Sequence, residues 1–96
     1  MYARITTFSM GPGTREHAER MADSLGKTYK NIPGLKSVTF IADWDACEYG
    51  SFQVWESKEA ADAALPGIRK EMEELAAGKI VGTPVRRTFE IYEPKP

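Results

Sequence analysis

Cysteine and histidine each occur once, as Cys47 and His17. An internal disulfide is therefore excluded, a structural zinc site lacks soft ligands, and no metal site is expected. No apolar run approaches the ~20 residues that span a bilayer, and Met1–Met10 lacks a cationic stretch leading into an apolar core. Neither a membrane partner nor a secretory leader is expected, and the expected compartment is the cytoplasm. Charge of one sign is also missing: 13 Lys and Arg face 14 Asp and Glu, for a net charge of −1. With no basic stretch, the chain has no electrostatic footprint for nucleic acid. What is present is a globular balance of 42% hydrophobic and 28% charged residues in 96 residues. That is one folded domain, 1–96, and too short for a separate cofactor module.

Tyr2–Ser9 is rich in β-branched and aromatic residues and ends at Met10–Gly11–Pro12–Gly13, so a strand is expected to stop there. From Thr14, a candidate cap, the period becomes helical: Ala18, Met21, Ala22, Leu25 and Tyr29 fall at offsets 0, 3, 4, 7 and 11. This helix should stop near Asn31–Ile32–Pro33–Gly34, because proline pushes the preceding residue out of the α region. Leu35–Trp44 and Tyr49–Glu56 follow as a hairpin pair of strands. Ser57 caps a second helix carrying Ala61, Ala64, Leu65, Ile68, Met72 and Leu75, with a kink or break expected at Pro66–Gly67. Gly78 suits its end, Gly82–Thr83–Pro84 suits a loop, and Val85–Glu93 a last strand before a proline-flanked tail.

The order β-α-β-β-α-β is the ferredoxin-like α+β arrangement: a four-stranded antiparallel sheet with two helices on one face. The uncovered face of such a sheet is normally wet, so its strands should alternate apolar and polar residues. Here both faces carry large apolar groups. Val38, Phe40, Ala42 and Trp44 oppose Leu35 and Ile41, Phe52 and Val54 oppose Tyr49 and Trp55, and Val85, Phe89 and Ile91 oppose Tyr92. A second copy of the same sheet is the simplest cover for that patch, and a homodimer through sheet faces is expected.

Val54–Trp55–Glu56–Ser57–Lys58–Glu59–Ala60–Ala61–Asp62–Ala63 runs a strand ending in Trp into a capped helix, and Asn31–Ile32–Pro33–Gly34–Leu35 joins the first helix to the second strand. With the chain length and element order, these stretches resemble the antibiotic biosynthesis monooxygenase family of the dimeric α+β barrel superfamily, over Tyr2–Glu93. The resemblance implies a homodimer with a pocket between sheet and helices in each protomer. It also implies oxidation of an aromatic or quinol-type substrate by dioxygen with no cofactor. That chemistry is physically reasonable: an electron-rich phenolate can itself pass an electron to dioxygen, leaving the protein to deprotonate, orient and dehydrate it. A related branch degrades haem with an Asn on strand one, a Trp at the end of strand three and a His on helix two. Trp55 matches the Trp, but strand one has no Asn and Lys58–Gly78 has no His, so that route is not expected.

Among single residues, Trp55 offers a stacking surface and one indole N–H, and its competing role is core packing. Phe40, Trp44 and Phe52 could line the same cavity. Histidine is the side-chain type suited to proton transfer near neutral pH, so His17 is the default proton acceptor, although the first turn of a helix disfavours a cationic imidazole. Arg4 and one of the pair Arg86–Arg87 could hold a phenolate or carboxylate, and adjacent strand residues face opposite ways. The expected set is thus His17 and Trp55 for catalysis and Arg4, Phe40, Trp44, Phe52 and Arg87 for substrate binding. Cys47 has Asp45 and Glu48 beside it, which oppose a thiolate. Gly11–Pro12–Gly13 lacks phosphate-loop spacing, and Glu71, Glu73 and Glu74 read as a solvated helix face. Two functions fit: a cofactor-independent monooxygenase, or a non-catalytic dimeric module that binds a small apolar molecule.

Overall fold

The computed structural model describes residues 1–96 as β1 (Tyr2–Met10), α1 (Arg15–Tyr29), β2 (Leu35–Asp43), β3 (Glu48–Trp55), α2 (Lys58–Ala76) and β4 (Ile80–Glu90). The strands form one sheet in the order β2-β3-β1-β4, with each neighbouring pair antiparallel. This is the ferredoxin-like α+β fold, with both helices on one face. Their apolar stripes bury Ala18, Met21, Leu25 and Tyr29 from α1 and Ala61, Ile68, Met72 and Ala76 from α2.

Register decides what those helices cover. On β1 and β3 the pairs Phe8↔Tyr49, Thr6↔Ser51 and Arg4↔Gln53 turn toward the helices, and β4 adds Arg86 opposite Thr6 and Thr88 opposite Arg4. The core divides into two clusters. Phe8, Met10, Met21, Tyr49 and Met72 gather at one end, and Leu25, Tyr29, Trp55, Ala61 and Ile68 at the other.

Four local expectations change. α2 runs unbroken through Pro66. Pro66 and Gly67 lie on the exposed side, where a carbonyl left without its N–H partner can turn to water. β4 begins at Ile80 and ends at Glu90. Gly82–Thr83–Pro84 is therefore inside the strand, as a bulge between the pairs Thr7↔Val85 and Ser9↔Val81. β4 is an edge, so the missing N–H of Pro84 breaks no ladder, and Gly82 takes φ +75°. Thr14 makes no side-chain cap; its Oγ1 donates to Gly11 O at 2.7 Å and meets Tyr49 OH at 3.1 Å. A register shift between Leu35 and Ser37 brings Leu35 to the covered face, where it packs with Trp55, Ile68 and Val38.

The joints are specific. Ser57 Oγ accepts from Ala60 N at 3.1 Å, the cap expected for α2. Gly34 has φ +84°, and a Cβ built there would lie 2.6 Å from Ala60 Cβ, so only glycine lets the loop pass the start of α2. No helix is long and apolar enough to cross a membrane.

Candidate functional site

Between the sheet and the helices lies a cavity of about 340 Å³, within the size range of small-molecule sites. It occupies the gap between the two core clusters. Phe8, Met21, Tyr49 and Met72 wall one end, and Leu25, Tyr29 and Ile68 the other. Phe40, Trp44 and Glu19, all exposed, border its open side. The Arg15 guanidinium lies 4.1 Å from the Trp44 ring centroid, and Trp44 lies 5.7 Å from the Tyr49 ring.

The remaining lining residues are polar and sit in two adjacent rows across the sheet. One row is Ser51, Thr6 and Arg86; the next is Gln53 and Arg4, with Thr88 beyond. Arg4 is 6% exposed, and all three of its nitrogens are engaged. Nε donates to Thr88 Oγ1 at 3.0 Å, Nη1 to Ala61 O at 2.9 Å and Nη2 to Asp62 Oδ1 at 2.6 Å. It thereby ties the start of α2 to β1 and β4. Arg86 differs, because its buried Nη2 has no partner. Burial, and then the like charge of Arg69, lowers the Arg86 pKa from its usual value. Burial also raises the pKa of Tyr29, so its phenol stays protonated through the neutral range.

Trp55 is fully buried and sits outside the cavity wall. Its Nε1 donates to Gln53 Oε1 at 2.9 Å, and Gln53 Nε2 donates to Ser51 Oγ at 2.9 Å and Tyr29 OH at 3.1 Å.

Of the residues expected from sequence, Arg4, Phe40 and Trp44 come together at this cavity. Trp55 reaches it only through Gln53. His17 lies elsewhere: its Nε2 donates to Leu75 O at 2.8 Å, joining α1 to α2. Phe52 and Arg87 do not line the cavity, since the strand alternation sends them to the opposite sheet face, where the Arg87 guanidinium sits 4.8 Å from the Phe89 ring. Their neighbours on the covered face, Ser51, Gln53 and Arg86, are the residues that line it. Sequence reasoning passed over Tyr29, Ser51 and Gln53, although Ser51 and Gln53 share parity with Tyr49 and Trp55. Polar side chains on the covered face of a strand were the available signal. No group of three or more His, Cys, Asp and Glu residues gathers in a way that could hold a metal ion.

Solved structures described as antibiotic biosynthesis monooxygenases share this fold. A solved antibiotic biosynthesis monooxygenase superposes with TM-score 0.80 at 10% identity, covering 97% of this chain and 100% of that one. A variant of SnoaB, a cofactor-independent oxygenase from Streptomyces nogalater, gives TM-score 0.74 at 20% identity, covering 99% and 96% of the two chains. NE2512, a protein of unknown function from Nitrosomonas europaea, gives 0.84 at 17% identity, covering 98% and 91%. No protein-family model matches the chain, and no curated protein sequence does.

Proposed function

We propose that this chain is a small-molecule enzyme, a cofactor-independent monooxygenase acting on an aromatic or quinol-type substrate in the cavity beneath the helices. One observation carries the reading: a cavity of about 340 Å³ whose walls are apolar and aromatic and whose inner end holds the half-buried guanidinium of Arg86 with its Nη2 buried and unpartnered. Apolar walls exclude water from a flat ring, and a fixed cation favours its ionised phenol. The fold shared with SnoaB, described as a cofactor-independent oxygenase, supports the same chemistry.

In this reading Phe40 and Trp44 close over the ring, Arg4 holds the frame, and Arg86 with Tyr29 receives the phenolate oxygen. The phenolic proton leaves to solvent through the open side, since Glu19 at the rim is the only carboxylate along the cavity and no histidine lines it. The phenolate passes one electron to dioxygen, and the two radicals combine to form a carbon–oxygen bond at a ring carbon bearing hydrogen. That carbon loses its proton, and the O–O bond breaks with release of water. One phenol and one dioxygen give one quinone and one water. Trp55 acts through Gln53 in this scheme, and His17 holds the helices together.

The opposite face carries Ile41, Phe52, Val85 and Phe89, exposed at 41%, 39%, 55% and 41%. A second copy of the same sheet covers them in a homodimer. The scarcity of acid–base groups along the cavity favours one second reading, a dimeric module that binds a small apolar molecule without turnover.

Oxygen uptake measured across a panel of naphthols, anthrones and hydroquinones tests the proposal. Uptake above autoxidation that saturates with substrate and depends on protein is expected. Ligand-induced thermal stabilisation with no uptake would overturn the enzyme in favour of the binding module.

A further inference from the structure

Trp55 is not itself part of the cavity wall, yet it sets the polarity of the polar corner through the wall residue Gln53. An indole nitrogen can only donate. Its bond to Gln53 therefore fixes Oε1 as the acceptor and leaves both Nε2 protons to go to Ser51 Oγ and Tyr29 OH. Each hydroxyl already accepts, so each has its own proton left over. Where the two hydroxyls bond to one another, one O–H remains available to donate to a ligand or to the Thr6 hydroxyl across the row. Arg86 Nη2 stands in the neighbouring row, also buried and unpartnered. Arg69 and Arg4 add like charge around Arg86, against Glu73 and the neutral Tyr29. The Arg4 charge is itself answered by Asp62. The corner thus presents the Arg86 cation beside hydroxyls that both donate and accept, and Glu71, whose Oε2 is also buried without a partner, acts on Tyr29.

We propose that the cavity selects a flat aromatic ligand whose inner end carries an oxyanion, and that Trp55 is the positioning residue that imposes this selectivity through Gln53. The inference rests on the small-molecule reading above but not on catalysis. A ligand oxygen placed there would take the Arg86 N–H and a hydroxyl proton together, satisfying groups that the protein leaves open. A ligand ammonium would meet the like charge of Arg86, with only neutral hydroxyl oxygens to accept from it.

Calorimetric titration at neutral pH with three probes of one shape, 2-naphthoate, 2-naphthamide and 2-naphthylmethylammonium, tests it. Naphthoate should bind about tenfold or more tightly than the amide, the size of one charge-assisted hydrogen bond, and the ammonium should not bind measurably. Arg86→Met should weaken naphthoate about tenfold to a hundredfold and the amide, whose carbonyl also accepts but carries no charge, by less. Gln53→Glu accepts from Trp55, Tyr29 and Ser51 at once and consumes the free protons, so naphthoate binding should be lost. Trp55→Phe keeps a ring in the core but frees the Gln53 amide to turn, and the preference for naphthoate over the amide should collapse in it while Tm stays well above the assay temperature.

Equal binding of the three probes, absence of binding by all of them, or a naphthoate preference unchanged in Arg86→Met would each overturn the proposal. The oxygenase reading fails separately. Naphthoate selectivity without any oxygen uptake removes catalysis and leaves the oxyanion corner standing, whereas uptake with a flat probe order removes the corner alone.

Discussion

Arg4 and Arg86 occupy adjacent rows on the covered face of the sheet, and replacing each with methionine should have opposite consequences. Methionine keeps an unbranched, polarisable stem in place of the guanidinium, so the comparison isolates hydrogen bonds and charge. At Arg4 the substitution removes two bonds to neutral acceptors, Thr88 Oγ1 and Ala61 O, and one ion pair with Asp62, whose side chain is 54% exposed. Bonds from a charged donor contribute about 1.5–3 kcal/mol each before the cost of burying the charge is subtracted. The net for the site is about 3 kcal/mol. For a domain of this size, a loss of 1 kcal/mol lowers Tm by about 4–8 °C, so Arg4→Met should melt about 12–24 °C below the wild type.

Arg86→Met removes a cation with a buried N–H that nothing accepts. An unsatisfied buried donor costs about 1–3 kcal/mol, so its removal should leave stability unchanged or raise it slightly. Urea denaturation of both variants at one fixed protein concentration gives the two values, and Asp62→Asn should cost below about 1 kcal/mol, as an exposed pair does. A loss under about 1 kcal/mol in Arg4→Met, or an equal loss in Arg86→Met, would refute the division of labour between framework and ligand site.

Three further outcomes are expected. Phe52→Lys places a charge on the uncovered sheet face, where Phe52 is 39% exposed, and should convert a dimer into monomer in light-scattering chromatography; an unchanged mass would remove the face-to-face assembly. His17→Ala loses its bond to Leu75 O and should cost about 1 kcal/mol of stability, while any oxygen uptake stays at the wild-type level; a large loss of turnover in a folded variant would return His17 to the chemistry. Tyr29 has its pKa raised above 10.0 by burial, so the unfolded chain loses the proton first. The stability this provides is complete below about pH 10 and is lost as pH rises through the higher folded value. Arg86, with a lowered pKa, acts in the opposite direction, so the test is the difference between wild type and Tyr29→Phe from pH 9 to 11. A difference independent of pH would show that the phenol is not held protonated.

The order of elements was legible because the helical stripes on α1 and α2 and the turn clusters at Gly11–Gly13 and Pro33–Gly34 are local signals that packing did not override. Pro66 and Gly82–Pro84 misled for one shared reason. Proline and glycine interrupt a pattern only where the missing N–H or side chain is needed, and these residues lie on a solvent-facing helix side and an edge strand. Arg4, Phe40 and Trp44 are expected at the cavity from their side-chain types alone, and it is the register that puts Arg4 and Phe40 on the covered face. Arg87 was preferred over Arg86 because parity on β4 depends on register. The bulge opposite Phe8 and the pairing Thr6↔Arg86 are tertiary facts that no local pattern contains.

The covered face of the sheet is where apolar side chains add most to stability, yet Thr6, Ser51, Gln53 and Arg86 stand there in two consecutive rows beside Arg4. Arg4 can be read as structure, because its nitrogens are matched to acceptors on two elements, β4 and α2. Gln53 is matched as well, since its oxygen and its amine both find partners. The mismatch begins beyond Gln53, at the hydroxyls and the guanidinium that border the cavity. A polar network that served only the fold would end in an acceptor or at the surface; this one leaves the Arg86 Nη2 donors without a partner beside an apolar space of about 340 Å³. The cost of leaving those donors open falls on stability, and it is recovered only when something that accepts occupies the space. Within this fold the site is defined less by the aromatic wall, which any buried sheet supplies, than by the direction in which Trp55 starts the chain of hydrogen bonds.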